Sequence, residues 1–459
     1  MTAQIELVHL FNRDVDSVER SGRQITLNIR DWRPVRFSAR SDGLADAIMA
    51  LRNGATIERL ETCCDREKAP GEFAQELRYY LERFARGRFL AWDIVDAGMR
   101  LGRADALASR FQPNLDRQTP SAVVLGRFSL LRRDDGSTVL ETAAAPVRLV
   151  LSRNGLDRLT PLLEGEHPCS AGTLPHRLWQ LGFFDAATAE ESEARRCWEF
   201  HDLLMHQRSR QNLDVPTIGG TYRFKGVFPS LPARRPAFDG QALALPAVDR
   251  TAVARNSAPL HEVQERRKSL RKYAEQPVDL ASVSEFLWRT CRTVREIESN
   301  QQGLLTRPYP AGGSINELEF YVAVRRCGGL EPGVYHYDGH RHAVVGLPGT
   351  EPLAQKIVSR STAAMGLVTG EESPDIVIVV TSRFPRLAWK YEGMAYRATL
   401  LNAGVVLGQM YLIATDMGLA PCANGTGDSR LLEEAAGLDP FAETPIAEFA
   451  LSRPGQDLA

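Results

Sequence analysis

The stretch from Trp389 to Gly418 limits what this chain can become more than any other. It reads WKYEGMAYRATLLNAGVVLGQMYLIATDMG and contains no proline. Leu400, Leu401, Val405, Val406, Met410, Leu412 and Ile413 place apolar side chains on both faces of a helix. A helix that is apolar nearly all round belongs in a core or between subunits. Ala403, Gly404 and Gly408 leave part of its surface bare, so another backbone or a flat ligand can approach closely. Lys390 and Tyr391 stand at its entrance. The sequence therefore predicts a buried central helix with an ionisable pair at its start.

A chain of 459 residues has room for roughly two to four domains. Its net charge of −1 gives no sign of a polyanion-binding protein. No apolar run reaches membrane-spanning length without polar interruption, so no membrane association is expected. The opening MTAQIELVHLFNRD lacks a basic segment followed by an apolar one, so no signal peptide is expected. The seven cysteines include no CxxC pair. Reduced thiols and a cytoplasmic location are the expectation.

The N-terminal half reads as two small helical units. In the first, residues 1–110, Leu44, Ile48 and Leu51 have helical spacing before the Asn53–Gly54 stop. A short helix through Ile57 and Leu60 follows, then a third marked by Phe73, Leu77, Leu81 and Phe84. Arg88 to Val95 reads as a strand. Three helices and a strand is the order of a winged helix. Residues 111–195 repeat it loosely, with VRLVLSRNGLDRL giving a strand and a helix, and Leu174, Leu178 and Leu181 giving another helix. Neither unit has a dense basic face, which argues against nucleic acid. An extended peptide adding a strand to the wing edge suits them better. Residues 196–255 form a linker: an amphipathic helix, RCWEFHDLLMHQRSR, then a Pro- and Gly-rich arm predicted to pack over the next domain. His201 and His206 have poor spacing for a shared metal site.

Residues 256–459 are an α+β domain by their alternation of helices and strands. RRKSLRKY, Arg266 to Tyr273, packs five cations and a hydroxyl into one short run. It suits a phosphate, because Arg supplies forked donors and Ser a short hydrogen bond; a solvated basic turn is the other reading. Asp279 is placed to cap a helix whose buried stripe includes Cys291. TRPYPAGGSINELEF is a stiff loop with bare backbone before a strand, open to a flat ring. His336, His340 and His342 lie in a hairpin without an acid or thiol to complete a metal site, and no metal is expected. PDIVIVVTS is a strand buried on both faces, and it leads into the Lys390–Tyr391 pair. Asn424, Gly425 and Gly427 form a loop after the central helix, and the terminal strand IAEFALSRPG ends at Arg453.

These pieces, in this order, resemble the nitroreductase-like FMN fold, a mixed sheet flanked by helices. RRKSLRKY looks like its phosphate-binding start, RPYPAGGSIN its flavin-edge loop, GLAPCANG the loop that offers backbone NH groups to the flavin, and ALSRPG its terminal strand. WKYEGMAYR is similar to the corresponding segment of the SagB/McbC-type azoline dehydrogenases, which carry an adjacent Lys-Tyr pair there. WEFHDLLMHQRSR and GGTYRFKG look like that subfamily's linker. Ala311 departs from the loop, where the family often has Ser.

The resemblance implies FMN as cofactor and oxidation of thiazoline or oxazoline rings in a ribosomally made precursor peptide. It implies Tyr391 as the base and Lys390 as the cation that favours its phenolate. Adjacent residues on a regular helix do not face each other, so the pair must lie at an irregular entrance, or Lys390 must act on substrate. Arg267, Ser269, Arg271 and Arg453 are implied for the phosphate, and Pro310, Gly312, Ser314, Asn316, Asn424 and Gly425 for the flavin. A homodimer built around the central helix, each site using both chains, is implied, and a cyclodehydratase is an expected partner. The N-terminal winged-helix-like units are implied to recognise the leader. The alternative is a flavin oxidoreductase, a nitroreductase or dehydrogenase, acting on a small or carrier-bound molecule.

Overall fold

The computed structural model describes residues 4–455, apart from 31, 65–68, 110, 116–117, 211–218, 300 and 369–371. Residues 215–218, at the start of the expected arm, lie outside the described residues. The chain forms two compact units, Met1–Pro216 and Thr217–Ala459.

In the first unit the helices fall where the apolar spacing puts them: Asp42–Ala50, Ile57–Glu61 and Pro70–Arg86. Ser41 and Thr56 accept from the backbone NH groups of Leu44 and Arg59 and so cap the first two. Leu44, Ile48, Leu60, Phe73 and Leu77 are buried in one core. The strand Leu90–Asp96 follows, then Met99–Ala106 in an antiparallel hairpin. Later in the unit, Ala145–Leu151, Arg153–Leu159 and Leu174–Gln180 match the expected strand and two helices.

The expected boundary at residue 110 does not divide the packing. Ala145–Leu151 pairs antiparallel with Met99–Ala106, so one six-stranded sheet crosses that point. Its order is Glu6–Phe11, Leu90–Asp96, Met99–Ala106, Ala145–Leu151, Ser137–Thr142, Ser129–Asp134. Val147 and Leu149 join Leu101 and Ala104 in the same core. Gly155 lets the helix Arg153–Leu159 rest on this sheet, since a Cβ there would lie 1.8 Å from Leu101 O.

The second unit is an α+β layer structure around a seven-stranded sheet. In spatial order the strands are Ala242–Ala244, Ala343–Leu347, Gly333–Asp338, Leu318–Val324, Ile376–Ser382, Thr444–Ser452 and Ala420–Asn424. Every neighbouring pair is antiparallel, where a mixed sheet was expected. Spacing along a chain identifies strands but not their pairing direction. Side chains alternate between two layers. Phe320, Ile378 and Phe449 pack on one face with Phe286 of the helix Leu280–Cys291 and Val406 and Met410 of the helix Ala395–Asp416. Tyr321, Val377 and Val379 pack on the other with Ile357 and Val358 of the helix Glu351–Ala364. The arm lies along this sheet: Ala242–Ala244 is an edge strand, and Arg235 reaches buried Glu443 at 2.9 Å, which also accepts from Tyr321 and Thr381.

The stretch from Trp389 is two helices, not one. Phe384–Lys390 ends at Tyr391, whose backbone is extended (φ −111, ψ 144), and the central helix is Ala395–Asp416. Nor is it buried all round. Thr399, Val406, Met410 and Ala414 are fully buried, while Tyr396, Leu400, Leu401 and Val405 remain exposed. The helix is long and apolar enough to cross a membrane by length and composition, contrary to the expectation from the sequence. Packing on the sheet accounts for its buried side, Val406, Met410 and Ala414.

Gly155→Ala is expected to weaken the first sheet by on the order of 3 kcal/mol, because the added methyl meets backbone that cannot turn aside. Hydrogen exchange on the intact chain checks it: amides of Met99–Ala106 lose protection, and those of Ile376–Ser382 do not.

Candidate active site

The Lys390–Tyr391 pair sits at the break between the two helices. Its support is Arg386, one turn back, whose guanidinium is fully buried. Arg386 donates to Leu231 O (2.8 Å), Gly303 O (3.0 Å) and Ile315 O (2.8 Å). Burial pulls its pKa down to about 10, so it still carries its charge at neutral pH. It thereby fixes the end of Phe384–Lys390 to the arm and to the loop before Leu318–Val324.

That loop is also tied to the central helix. Gly312 N donates to Asn402 Oδ1 at 3.0 Å, and Asn402 Nδ2 donates to both carboxylate oxygens of Glu317, at 3.0 and 3.2 Å. Glu317 is completely buried, and burial raises its pKa against the opposing bonds from Asn402.

The pair and the loop meet at Gly313. Its φ is +61, and a Cβ built there would lie 2.5 Å from Lys390 Nζ and from Tyr391 Oη. Lys390 Nζ lies 3.5 Å from Gly313 O and 5.3 Å from the centre of the Tyr391 ring. A break in the helix thus gives adjacent residues a common target, which a regular helix would deny them.

The remaining expected residues form other groups. Ser269 Oγ bonds Tyr411 Oη of the central helix at 2.7 Å, Tyr411 Oη accepts from Ala423 N at 2.8 Å, and Leu270 N donates to Pro421 O at 2.9 Å. The Arg267 guanidinium lies 5.4 Å from the Tyr411 ring. Among the described residues no carboxylate pairs with Arg267, Lys268, Arg271 or Lys272. A surplus of positive charge beside a serine hydroxyl fits an anion. Arg453 differs from expectation: its backbone joins this segment, with Ala274 N donating to Arg453 O, but its guanidinium pairs with Asp279. Asp279 also caps the helix Leu280–Cys291 as expected.

Pro310 is exposed, and Ser314 and Asn316 both have positive φ. Asn316 is buried beneath the loop, donating to Leu305 O. Asn424 donates to Glu448 at 3.3 Å and accepts from Thr426 N, while Gly425 has open space beside it. The bare loop and the unpaired cations fit FMN, the loop for a ring and the cations for a phosphate. Sequence reasoning missed Arg386, Asn402, Glu317 and Tyr411. An Asn within the apolar middle of the central helix was the available signal for Asn402.

Residues 265–451 match the nitroreductase family model. This part of the chain is a nitroreductase-family domain. Residues 123–214 match a second family model, the cyanobactin oxidase ThcOx. The two matches together support an oxidoreductase of the nitroreductase-like, SagB/McbC type that the sequence resembles. "Putative nitroreductase MJ1384" of Methanocaldococcus jannaschii is 27% identical over 36% of this chain and 78% of its own length. The trifolitoxin-processing protein TfxB of Rhizobium leguminosarum bv. trifolii is 28% identical over 32% of this chain, and the match spans only 40% of TfxB. The E. coli microcin synthetase McbBCD complex with truncated pro-MccB17 bound includes a similar chain, with a TM-score of 0.35 at 16% identity, covering 53% of this chain and 85% of that one.

Two predictions follow from the site's geometry. Gly313→Ala should displace Lys390 and Tyr391 together and lower turnover by about a hundredfold, as steady-state rates on the chain's substrate would show. Glu448 is a buried carboxyl whose pKa burial raises from 4.5 to about 7. The folded state then binds more protons than the unfolded state between these values, so stability falls as pH rises through that window. Glu448→Gln should remove this loss, gaining on the order of 3 kcal/mol at pH 8 and little at pH 4; thermal unfolding against pH measures it.

Proposed function

We propose that the chain is an FMN-dependent dehydrogenase that oxidises thiazoline or oxazoline rings in a ribosomally made peptide to thiazoles or oxazoles. The contact of Lys390 and Tyr391 with the bare backbone of Gly313 carries this reading. It joins a base, a cation and a surface open to a flat ring at one place.

Arg267, Ser269 and Arg271 would hold the cofactor phosphate, with Arg453 near their end of the sheet, and the loop from Pro310 to Asn316 would face the ring. FMN, when bound, takes up the hydride that the azoline ring gives up. The other ring hydrogen leaves as a proton, which Tyr391 Oη accepts. Lys390 stabilises the charge on that oxygen. The half-buried setting of the pair limits water at the place of proton removal.

A homodimer completes the proposal. Asn402 holds the loop and Tyr411 holds the phosphate segment. Nine residues of helix separate them, about 13 Å along the axis and roughly half a turn around it. A single chain thus offers the two halves of a cofactor site on opposite sides of its central helix. Pairing two chains across the exposed Leu401 and Val405 face would bring complementary halves together. Azolines form by dehydrating cyclisation of Cys, Ser or Thr, so a cyclodehydratase is the partner that supplies substrate. The winged-helix-like elements of Met1–Pro216 are proposed to recognise the leader.

Incubation with an azoline-bearing peptide tests the reading. A loss of about 2 Da per ring is expected, and Tyr391→Phe should lower the rate by at least about a hundredfold with flavin still bound. No mass loss from any azoline peptide, together with turnover of nitroaromatics, would instead favour a flavin oxidoreductase of small molecules.

A further inference from the structure

Lys390 is gripped from outside by a strap of the arm that the reading above leaves without a role. Thr221 N and Tyr222 N both donate to Lys390 O, at 2.9 and 3.2 Å. Gly220 lies so close that an added Cβ would be 3.1 Å from Lys390 Cγ. Tyr222 adopts φ +51, in the left-handed region that a tyrosine rarely enters. Its ring packs edge-on against Trp389 at 5.8 Å and stands 5.9 Å from Lys390 Nζ. The far end of the strap is pinned as well, by Trp389 Nε1 donating to Phe228 O at 3.0 Å.

The strap also decides where a nearby carboxylate goes. Glu392 is two residues beyond Lys390. Thr221 Oγ1 donates to it at 3.4 Å and Arg223 pairs with it at 3.5 Å. Among the described residues no carboxylate pairs with Lys390. Its ammonium lies instead between the rings of Tyr222 and Tyr391, with Gly313 O beside it. Aromatic faces at this range attract a cation without neutralising it.

We propose that Tyr222 is a positioning residue for Lys390, and that the strap keeps Glu392 away from the ammonium so that its charge acts at Tyr391. The proposal rests on the assignment of Lys390 and Tyr391 to proton removal. A salt bridge to Glu392 would cancel the positive charge that Tyr391 needs. Tyr222 holds the ammonium by its ring, while Thr221 and Arg223 occupy the competing carboxylate.

The test compares Tyr222→Leu, Tyr222→Phe and the double variant Tyr222→Leu/Glu392→Gln in the full chain. With an azoline peptide, Tyr222→Leu should lower kcat about tenfold and change KM by less than about threefold. Tyr222→Phe, which keeps the ring, should restore most of kcat. The double variant should recover part of it, because the competing carboxylate is gone. Equal losses in the Leu and Phe variants, or no recovery in the double variant, would overturn the proposal.

A second readout needs no substrate. Acylation of Lys390 by a water-soluble amine reagent, followed by peptide mass spectrometry, should fall about threefold in Tyr222→Leu as Glu392 pairs with the amine, and return in the double variant. Unchanged labelling overturns the positioning role. If labelling responds as expected but the unaltered chain oxidises no azoline, the positioning stands and the assigned reaction fails.

Discussion

Arg386 has no exposed surface, yet it keeps its charge and donates to three backbone carbonyls from three separate segments. Removing a guanidinium from water is costly unless its donors are satisfied. Here the arm at Leu231, the turn at Gly303 and the loop at Ile315 supply acceptors to its two terminal nitrogens, while Nε has no partner among the described residues. The segment at Leu231 is distant in sequence from those at Gly303 and Ile315. Their common obligation to one buried cation places the end of the helix Phe384–Lys390 against the loop at Gly313. The Lys390–Tyr391 pair inherits its position from that arrangement. Asn402 repeats the device from the other side, joining the loop backbone to a buried carboxylate just before the next strand.

Much of this was open to reading from the sequence, for identifiable reasons. Leu44, Ile48 and Leu51 report a helix because their spacing of three and four brings them to one face. The rule that helix neighbours diverge predicted an irregular entrance for Lys390 and Tyr391, and Tyr391 is extended. Pairing across distance was hidden. Nothing local to Ala145–Leu151 says that its neighbour is Met99–Ala106, so the division near residue 110 was drawn through a continuous sheet. Arg453 was assigned to an anion from the resemblance, and nothing local to it shows that Asp279 is its partner. Asp279, recognised only as a cap, turned out to serve both the helix NH groups and that guanidinium. The apolar pattern of the central helix showed which residues avoid water, but not which of them a single chain leaves uncovered.

The second unit also separates two kinds of buried acid. Glu319 lies among Arg307, Arg383 and His336, and these neighbours hold its pKa down at about 2 despite burial. Glu448 has amide and hydroxyl neighbours but no cation paired with it among the described residues, and burial prevails. Both side chains come from strands of one sheet. Their difference follows from the elements beside them: Arg307 precedes the bare loop and Arg383 begins the helix that carries Lys390, so the elements around that pair also supply the positive charge.

Gly313 leaves no volume for a side chain at the meeting point of loop and pair. Enlarging this position would move Lys390 and Tyr391 along with the wall. The strap offers a different kind of freedom. Val227 and Phe228 are exposed, and Phe228 contributes only its carbonyl to Trp389. Side chains there can vary in size and polarity while the backbone grip on Lys390 persists. The fold thus separates an invariant floor from an adjustable rim, and a lineage or a designer seeking a new substrate would find its room on the rim.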